Sequence, residues 1–186
     1  MSIRPFLDFS DKRELGADAV FTISSAKPGN GVEQLRDGNL DTYWQSDGLA
    51  PHFINVQFMK KVSISQISFY CDYTLDESYT AKRVCIRSGT SVHDLVDIAT
   101  IDVNEPKGWV TIDVCDDAIV GVLSNTKGPL RTHMIQLRIL SMIQNGRDTH
   151  IRQLKILGPR NSPVLMADTK LDSFKSTVMM QFSSLR

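Results

Sequence analysis

Short runs that alternate apolar and polar residues, separated by clusters of turn formers, constrain this chain more than any other feature. In His52-Phe53-Ile54-Asn55-Val56-Gln57-Phe58, Ile54, Val56 and Phe58 share one side while Asn55 and Gln57 take the other. Side chains on a strand alternate between faces, so this is the pattern of a half-buried strand. Val62 and Ile64 hold the same phase, whereas Ile67, Phe69 and Cys71 take the opposite one. A slip of one residue exchanges the two faces, so the reversal predicts a bulge or a change of sheet near Ser65 and Gln66. Further strands are expected over residues 82–87, 95–101, 109–114, 134–142 and 151–157.

Turn chemistry separates the early runs, in Lys27-Pro28-Gly29-Asn30-Gly31, Asp47-Gly48 and Ser88-Gly89. Helical pattern is scarce. Residues 10–15 fit a short helix with Ser10 as its cap and Gly16 as its stop, and residues 32–35 fit a single turn. Many short strands at this spacing predict an all-β chain folded as an antiparallel β-sandwich of the jelly-roll kind. The expected organisation is an N-terminal extension over residues 1–18 carrying the short helix, one sandwich domain over 19–158, and an extended C-terminal tail over 159–186.

Composition narrows the partners. Lys plus Arg and Asp plus Glu are 21 each, so the formal net charge is zero. Tight binding to nucleic acid or to an anionic membrane draws on a basic excess, and neither partner is expected here. The cysteines, Cys71, Cys85 and Cys115, are odd in number, widely spaced and set among apolar or β-branched neighbours, as small buried hydrophobes of a reducing compartment would be. The first residues lack the apolar core of a signal peptide, and no run approaches the ~20 apolar residues of a membrane span. The expectation is an intracellular soluble domain.

Catalytic signatures are missing. No Gly-x-Ser-x-Gly elbow, phosphate-cradling glycine loop or dinucleotide fingerprint occurs, and His52, His93, His133 and His150 lie far apart without metal-ligand spacing. No cofactor or metal is expected. The stretch Arg36-Asp37-Gly38-Asn39-Leu40-Asp41 offers oxygens that a calcium ion could use, but it lacks the spacing of a calcium loop and is expected to be a tight turn. Trp44 and Trp109 could each be a sugar-stacking platform or a core residue, and core is the expectation for both. Two polar segments remain, Asp76-Glu77-Ser78-Tyr79-Thr80 and Gln144-Asn145-Gly146-Arg147-Asp148-Thr149-His150. Their donors and acceptors suit an extended peptide, since loops on a rigid sandwich commonly carry binding groups. Self-contained turn chemistry, with Asp148 capping nearby N–H groups and pairing with Arg147, accounts for some of these residues without excluding binding, and from the residues alone both readings stand.

The run from Ser24 through Asp37 leads almost directly into Asp41-Thr42-Tyr43-Trp44-Gln45-Ser46-Asp47-Gly48. Together with the two polar segments and Arg152-Gln153, it closely resembles the DOC-domain subunits of the anaphase-promoting complex. The resemblance implies a galactose-binding-domain-like jelly roll and a non-catalytic subunit of a ubiquitin ligase. With a propeller coactivator, such a subunit would form the co-receptor for the destruction box, an Arg-x-x-Leu degron. It would thereby promote substrate binding and processive ubiquitination in the cell cycle. The positions matching the degron- and coactivator-facing surface are Ser78, Asn145, Asp148 and His150, with Arg147 in support. The family's Ile-Arg tail docks on a tetratricopeptide-repeat scaffold subunit, and Leu185-Arg186 stands in its place here. Nucleus and cytoplasm are the implied locations.

Overall fold

The reversal of apolar phase at Ser65 is a crossing between two sheets. The computed structural model describes residues 1–114 and 128–160. Its strands are β1 (Ser2–Arg4), β2 (Lys12–Glu14), β3 (Ala19–Ile23), β4 (Trp44–Gln45), β5 (His52–Ile64) and β6 (Gln66–Asp72). A single-turn helix, α1 (Tyr73–Asp76), precedes β7 (Ala81–Gly89), β8 (Val96–Asp102), β9 (Lys107–Asp113), β10 (Leu130–Met142), β11 (His150–Ile151) and β12 (Gln153–Pro159). Two antiparallel sheets of five strands run in the orders β1-β9-β6-β12-β2 and β3-β5-β10-β7-β8, and β4 pairs β11 apart from both.

One core lies between the two large sheets. Ile54, Val56, Val84, Ile86, Ile135 and Leu137 come from one, and Ile67, Phe69, Val110, Ile112, Leu154 and Ile156 from the other. β5 belongs to the first of these sets and β6 to the second, so Ile64 and Ile67 point into the same core from opposite layers. At the crossing, the Ser65 N–H donates to Leu157 O at 2.9 Å and its carbonyl accepts from Val114 N at 2.9 Å. An irregularity also exists in β5, where the pairing with β10 jumps from Val62 to Gln57 across Met59, Lys60 and Lys61.

The expected helix over residues 10–15 does not form. Lys12–Glu14 is an edge strand paired with Leu157–Pro159, and a 3-10 turn begins only at Gly16. Ser10 is itself the capped residue, its N–H donating to Asp8 Oδ1 at 2.9 Å, and the ladder beside β12 takes the chain from Lys12. Cross-strand pairing overrides a weak local preference here. Residues 1–18, expected as an extension, thus supply both edge strands of one sheet. The single turn expected near residue 32 forms at Glu33–Leu35.

Trp44 is fully buried in the core, and its indole N–H donates to Ser25 O at 2.9 Å. It is no sugar platform. Trp109 is buried as well, but on the side of β9 opposite Val110 and Ile112, edge-on to Tyr70 with ring centroids 5.5 Å apart. Cys71 is a core residue whose thiol is pushed far up by burial, and Cys85 is buried on the other side of its strand from Val84 and Ile86. Cys115, Leu185 and Arg186 lie outside the described residues. Among the described residues, no helix is long and apolar enough to cross a membrane, and no group of three His, Cys, Asp or Glu could hold a metal.

Candidate functional site

The connection from β6 to β7 is built from its caps. Asp72 ends the strand, and its Oδ1 accepts from Thr74 N at 2.9 Å and from Thr74 Oγ1 at 2.5 Å, which starts α1. Glu77 then turns the chain with φ of 44°, and a 3-10 turn over Glu77–Tyr79 leads into β7. The connection from β10 to β11 opens with a 3-10 turn over Ile143–Asn145, where Gln144 and Asn145 both have positive φ, 54° and 57°. Such a conformation is uncommon outside glycine and is retained only where the surroundings determine it.

Those surroundings are the other loop. Ile143 N donates to Thr80 O at 2.9 Å, and Thr149 Oγ1 donates to Tyr79 O at 3.2 Å. Gly146 lies against Ser78 so closely that a Cβ at this position would overlap the Ser78 carbonyl oxygen. Thr149 also ties the loop inward, its N–H donating to Ser46 Oγ at 2.8 Å and its carbonyl accepting from Ser46 N at 3.1 Å. His52 Nε2 donates to Arg147 O at 2.8 Å. Residues 72–80 and 143–150 therefore form one body at one end of the sandwich, with a largely satisfied backbone.

Beneath it lies a buried polar cluster that the sequence reading did not anticipate. Asp76, Arg152 and His150 are 3%, 5% and 7% exposed. Arg152 forks onto Asp76, with Nε donating to Oδ2 at 2.9 Å and Nη2 to Oδ1 at 2.7 Å, and its Nη1 donates to Leu40 O at 2.7 Å. His150 Nδ1 donates to Asp76 Oδ1 at 3.0 Å, and the ring is stacked between Tyr43 and Tyr79 with centroids 4.1 and 4.3 Å away. Burial pushes the Asp76 carboxyl up, but the hydrogen bonds from His150 and Arg152 overrule it and hold it below the ordinary carboxylate value. A buried charge of this kind is tolerable only because it is paired and bidentate.

The predicted site residues therefore divide. Asn145 and Arg147 carry exposed side chains, and Ser78 is half-buried where the two loops meet. Asp148 is only 12% exposed and pairs with Lys27 at 3.1 Å, not with the neighbouring Arg147 as the turn reading expected. That contact holds the Lys27 amine above its ordinary value. His150 is the clearest departure: it belongs to the buried cluster and does not face outward. Tyr43, Asp76 and Arg152 complete the buried cluster and are not among the site residues that the sequence suggested. The signal for Asp76 and Arg152 was the high polarity of residues 76–80 and of Arg152-Gln153 next to an apolar strand, and Tyr43 was marked only by its place beside a polar turn.

The Asp37 turn behaves as expected for a turn. Asp37 Oδ1 accepts from Asn39 N at 2.8 Å and Oδ2 from Thr42 Oγ1 at 2.5 Å. The Gln153 amide nitrogen sits 2.7 Å from Asp37 Oδ1, 3.0 Å from Gln34 O and 3.1 Å from Asn39 O. The Asp37 carboxylate and the Asn39 oxygens are engaged by donors of the chain itself.

The two-sheet jelly roll is the fold of galactose-binding-like domains. The family-32 carbohydrate-binding module of Clostridium perfringens NanJ, solved with galactose, aligns with a TM-score of 0.61 at 14% identity over 78% of this chain and 98% of that one. The F5/8 type C domain of a Bacteroides fragilis protein aligns with a TM-score of 0.62 at 12% identity over 82% and 99%. At such identities the likeness concerns the fold alone. Sequence is more specific. The family described as anaphase-promoting complex, subunit 10 (APC10) matches residues 2–184. Proteins named anaphase-promoting complex subunit 10 are 53% identical in Drosophila melanogaster over 79% of this chain and 71% of theirs, and 44% in Dictyostelium discoideum over 95% and 88%. The human protein of that name is 48% identical over 79% and 75%. The chain belongs to the anaphase-promoting complex subunit 10 family.

Proposed function

We propose that this chain is a non-catalytic, substrate-recognition subunit of an anaphase-promoting complex. In this reading it completes a destruction-box receptor together with a propeller coactivator and thereby raises substrate binding and processivity of ubiquitination. The observation that carries the reading is the loop body: two loops braced against each other present Asn145 and Arg147 outward from an ordered backbone. Preorganised donors lose little freedom when a peptide docks, which is what a receptor for a short extended motif requires. Family membership supplies the ligase, and relatives carrying the subunit name are ligase components by that name. The Asp76–His150 pair resembles half of a hydrolytic triad. No nucleophilic hydroxyl bonds its outer nitrogen among the described residues.

The decisive experiment changes the two exposed members, Asn145 and Arg147, together to Ala in the assembled ligase. Assembly is expected to be retained and the ubiquitin chains on a destruction-box substrate to shorten; unchanged chain length would refute the receptor role. Scaffold docking through Leu185 and Arg186, and residence in nucleus and cytoplasm, belong to the same proposal. Removal of Leu185-Arg186 is expected to reduce co-purification with the tetratricopeptide-repeat subunit.

A further inference from the structure

We propose that Arg152 is the positioning residue of the receptor end, acting through Asp76 and His150 and never on the partner itself. This rests on the receptor reading above and extends it to how the loop body is held. Arg152 is the one buried guanidinium beneath the two loops among the described residues, and it joins two other chain segments, the end of α1 and the turn from Leu40 to Tyr43. Its fork closes on Asp76, the last residue of α1, immediately before the chain reverses at Glu77. Its remaining nitrogen holds Leu40 O, which fixes the far side of the turn leading to Tyr43. Its guanidinium carbon lies 5.5 Å from the Tyr43 ring centroid.

The consequence runs outward through rings. Asp76 orients the His150 imidazole by accepting its Nδ1 proton, and the imidazole is the middle layer of a Tyr43–His150–Tyr79 stack. Tyr79 is the outer, exposed layer, and its backbone carbonyl is where Thr149 ties the second loop to the first. Arg152 thus determines where Tyr79 and Ser78 stand, and through Thr149 and Gly146 where Asn145 and Arg147 stand. His150 contributes to recognition by placing Tyr79, since its own ring is covered on both faces. A lysine retains the charge at position 152 but cannot supply the planar fork together with a third bond to Leu40.

The test uses the complete ligase with coactivator, measuring initial rates of ubiquitination against the concentration of a destruction-box substrate. For Arg152→Lys the expected result is a KM raised about tenfold, the scale of one charge-assisted hydrogen bond, with the subunit still co-purifying in full and saturated kcat kept within about twofold. Tyr43→Leu, at a half-exposed position, spares the ion pair and removes one layer of the stack; it is expected to give the same split at about threefold. Should Arg152→Lys fail to fold, Tyr43→Leu carries the test alone. Asn145→Ala with Arg147→Ala runs alongside as the contact variant. A raised KM in the contact variant with neither Arg152→Lys nor Tyr43→Leu affected overturns the positioning role and leaves the receptor reading intact. No change in any of the three overturns the receptor reading and the positioning role with it. Loss of co-purification in step with substrate affinity reduces Arg152 to a residue of the fold and also overturns the inference.

Discussion

The Asp37 turn and the loop body over Asp76 are made from the same kinds of residue and do different things with them. In the turn, Asp37, Asn39 and Thr42 satisfy one another, and Gln153 fills the space that their oxygens enclose. In the loop body, Asp76, Arg152 and Thr149 are paired within the chain, His150 Nε2 and Thr80 Oγ1 are buried without a hydrogen-bond partner among the described residues, and Asn145 and Arg147 project exposed. Polar composition alone therefore says little about binding. A binding surface is marked by polar side chains left over after the local structure has met its own needs.

The contrast can be broken hardest at Arg152. Arg152→Ala leaves the Asp76 carboxylate buried and unpaired and is expected to lower stability by about 3–5 kcal/mol in chemical denaturation. Asp76 also contributes to the slope of the acid side of the stability curve. Its folded pKa lies below the unfolded one, so its contribution is complete above the ordinary carboxylate range and is lost as pH falls through the lowered folded value. Asp76→Asn should flatten that acid limb, and an unchanged limb would mean the carboxylate is not held as described.

Gly146→Ala comes next. The added Cβ must displace the Ser78 carbonyl, so about 1–3 kcal/mol of destabilisation is expected together with weaker substrate binding. Gln153→Leu should cost a similar amount, about 1–3 kcal/mol, because the oxygens of Gln34, Asp37 and Asn39 lose their shared donor. Substrate KM is expected to stay unchanged in that variant, which is what separates the two regions. The smallest stability effect belongs to Asn145→Ala with Arg147→Ala, within about 0.5 kcal/mol of the parent, as for exposed side chains.

Much of the fold could be read from period two alone, because the two faces of a sandwich strand differ so strongly in polarity. That includes the break at Ser65, where of a bulge and a change of sheet the structure has the change of sheet. The Lys12–Glu14 strand could not, since three polar residues carry no alternation and only the neighbouring strand β12 makes them extended. The 151–157 run was expected as one strand, but Arg152 leaves the ladder between β11 and β12, its N–H bonding Tyr70 O at 3.1 Å, and the side chain is freed for Asp76. The two loops were visible as polar insertions between apolar runs. That His150 is buried was not visible, because its carboxylate partner lies 74 residues away and its stacking partners are in two other segments. Long-range partners of that kind decide which polar residues of a loop are support and which are surface.

The most direct test places a photoreactive side chain in turn at Asn145 and at Asn39 in the full chain, assembled into the ligase with coactivator and a destruction-box substrate. Cross-links to substrate or coactivator are expected from position 145 and not from position 39. Equal labelling from both, or labelling from position 39 alone, would contradict the assignment of the loop body as the receptor surface.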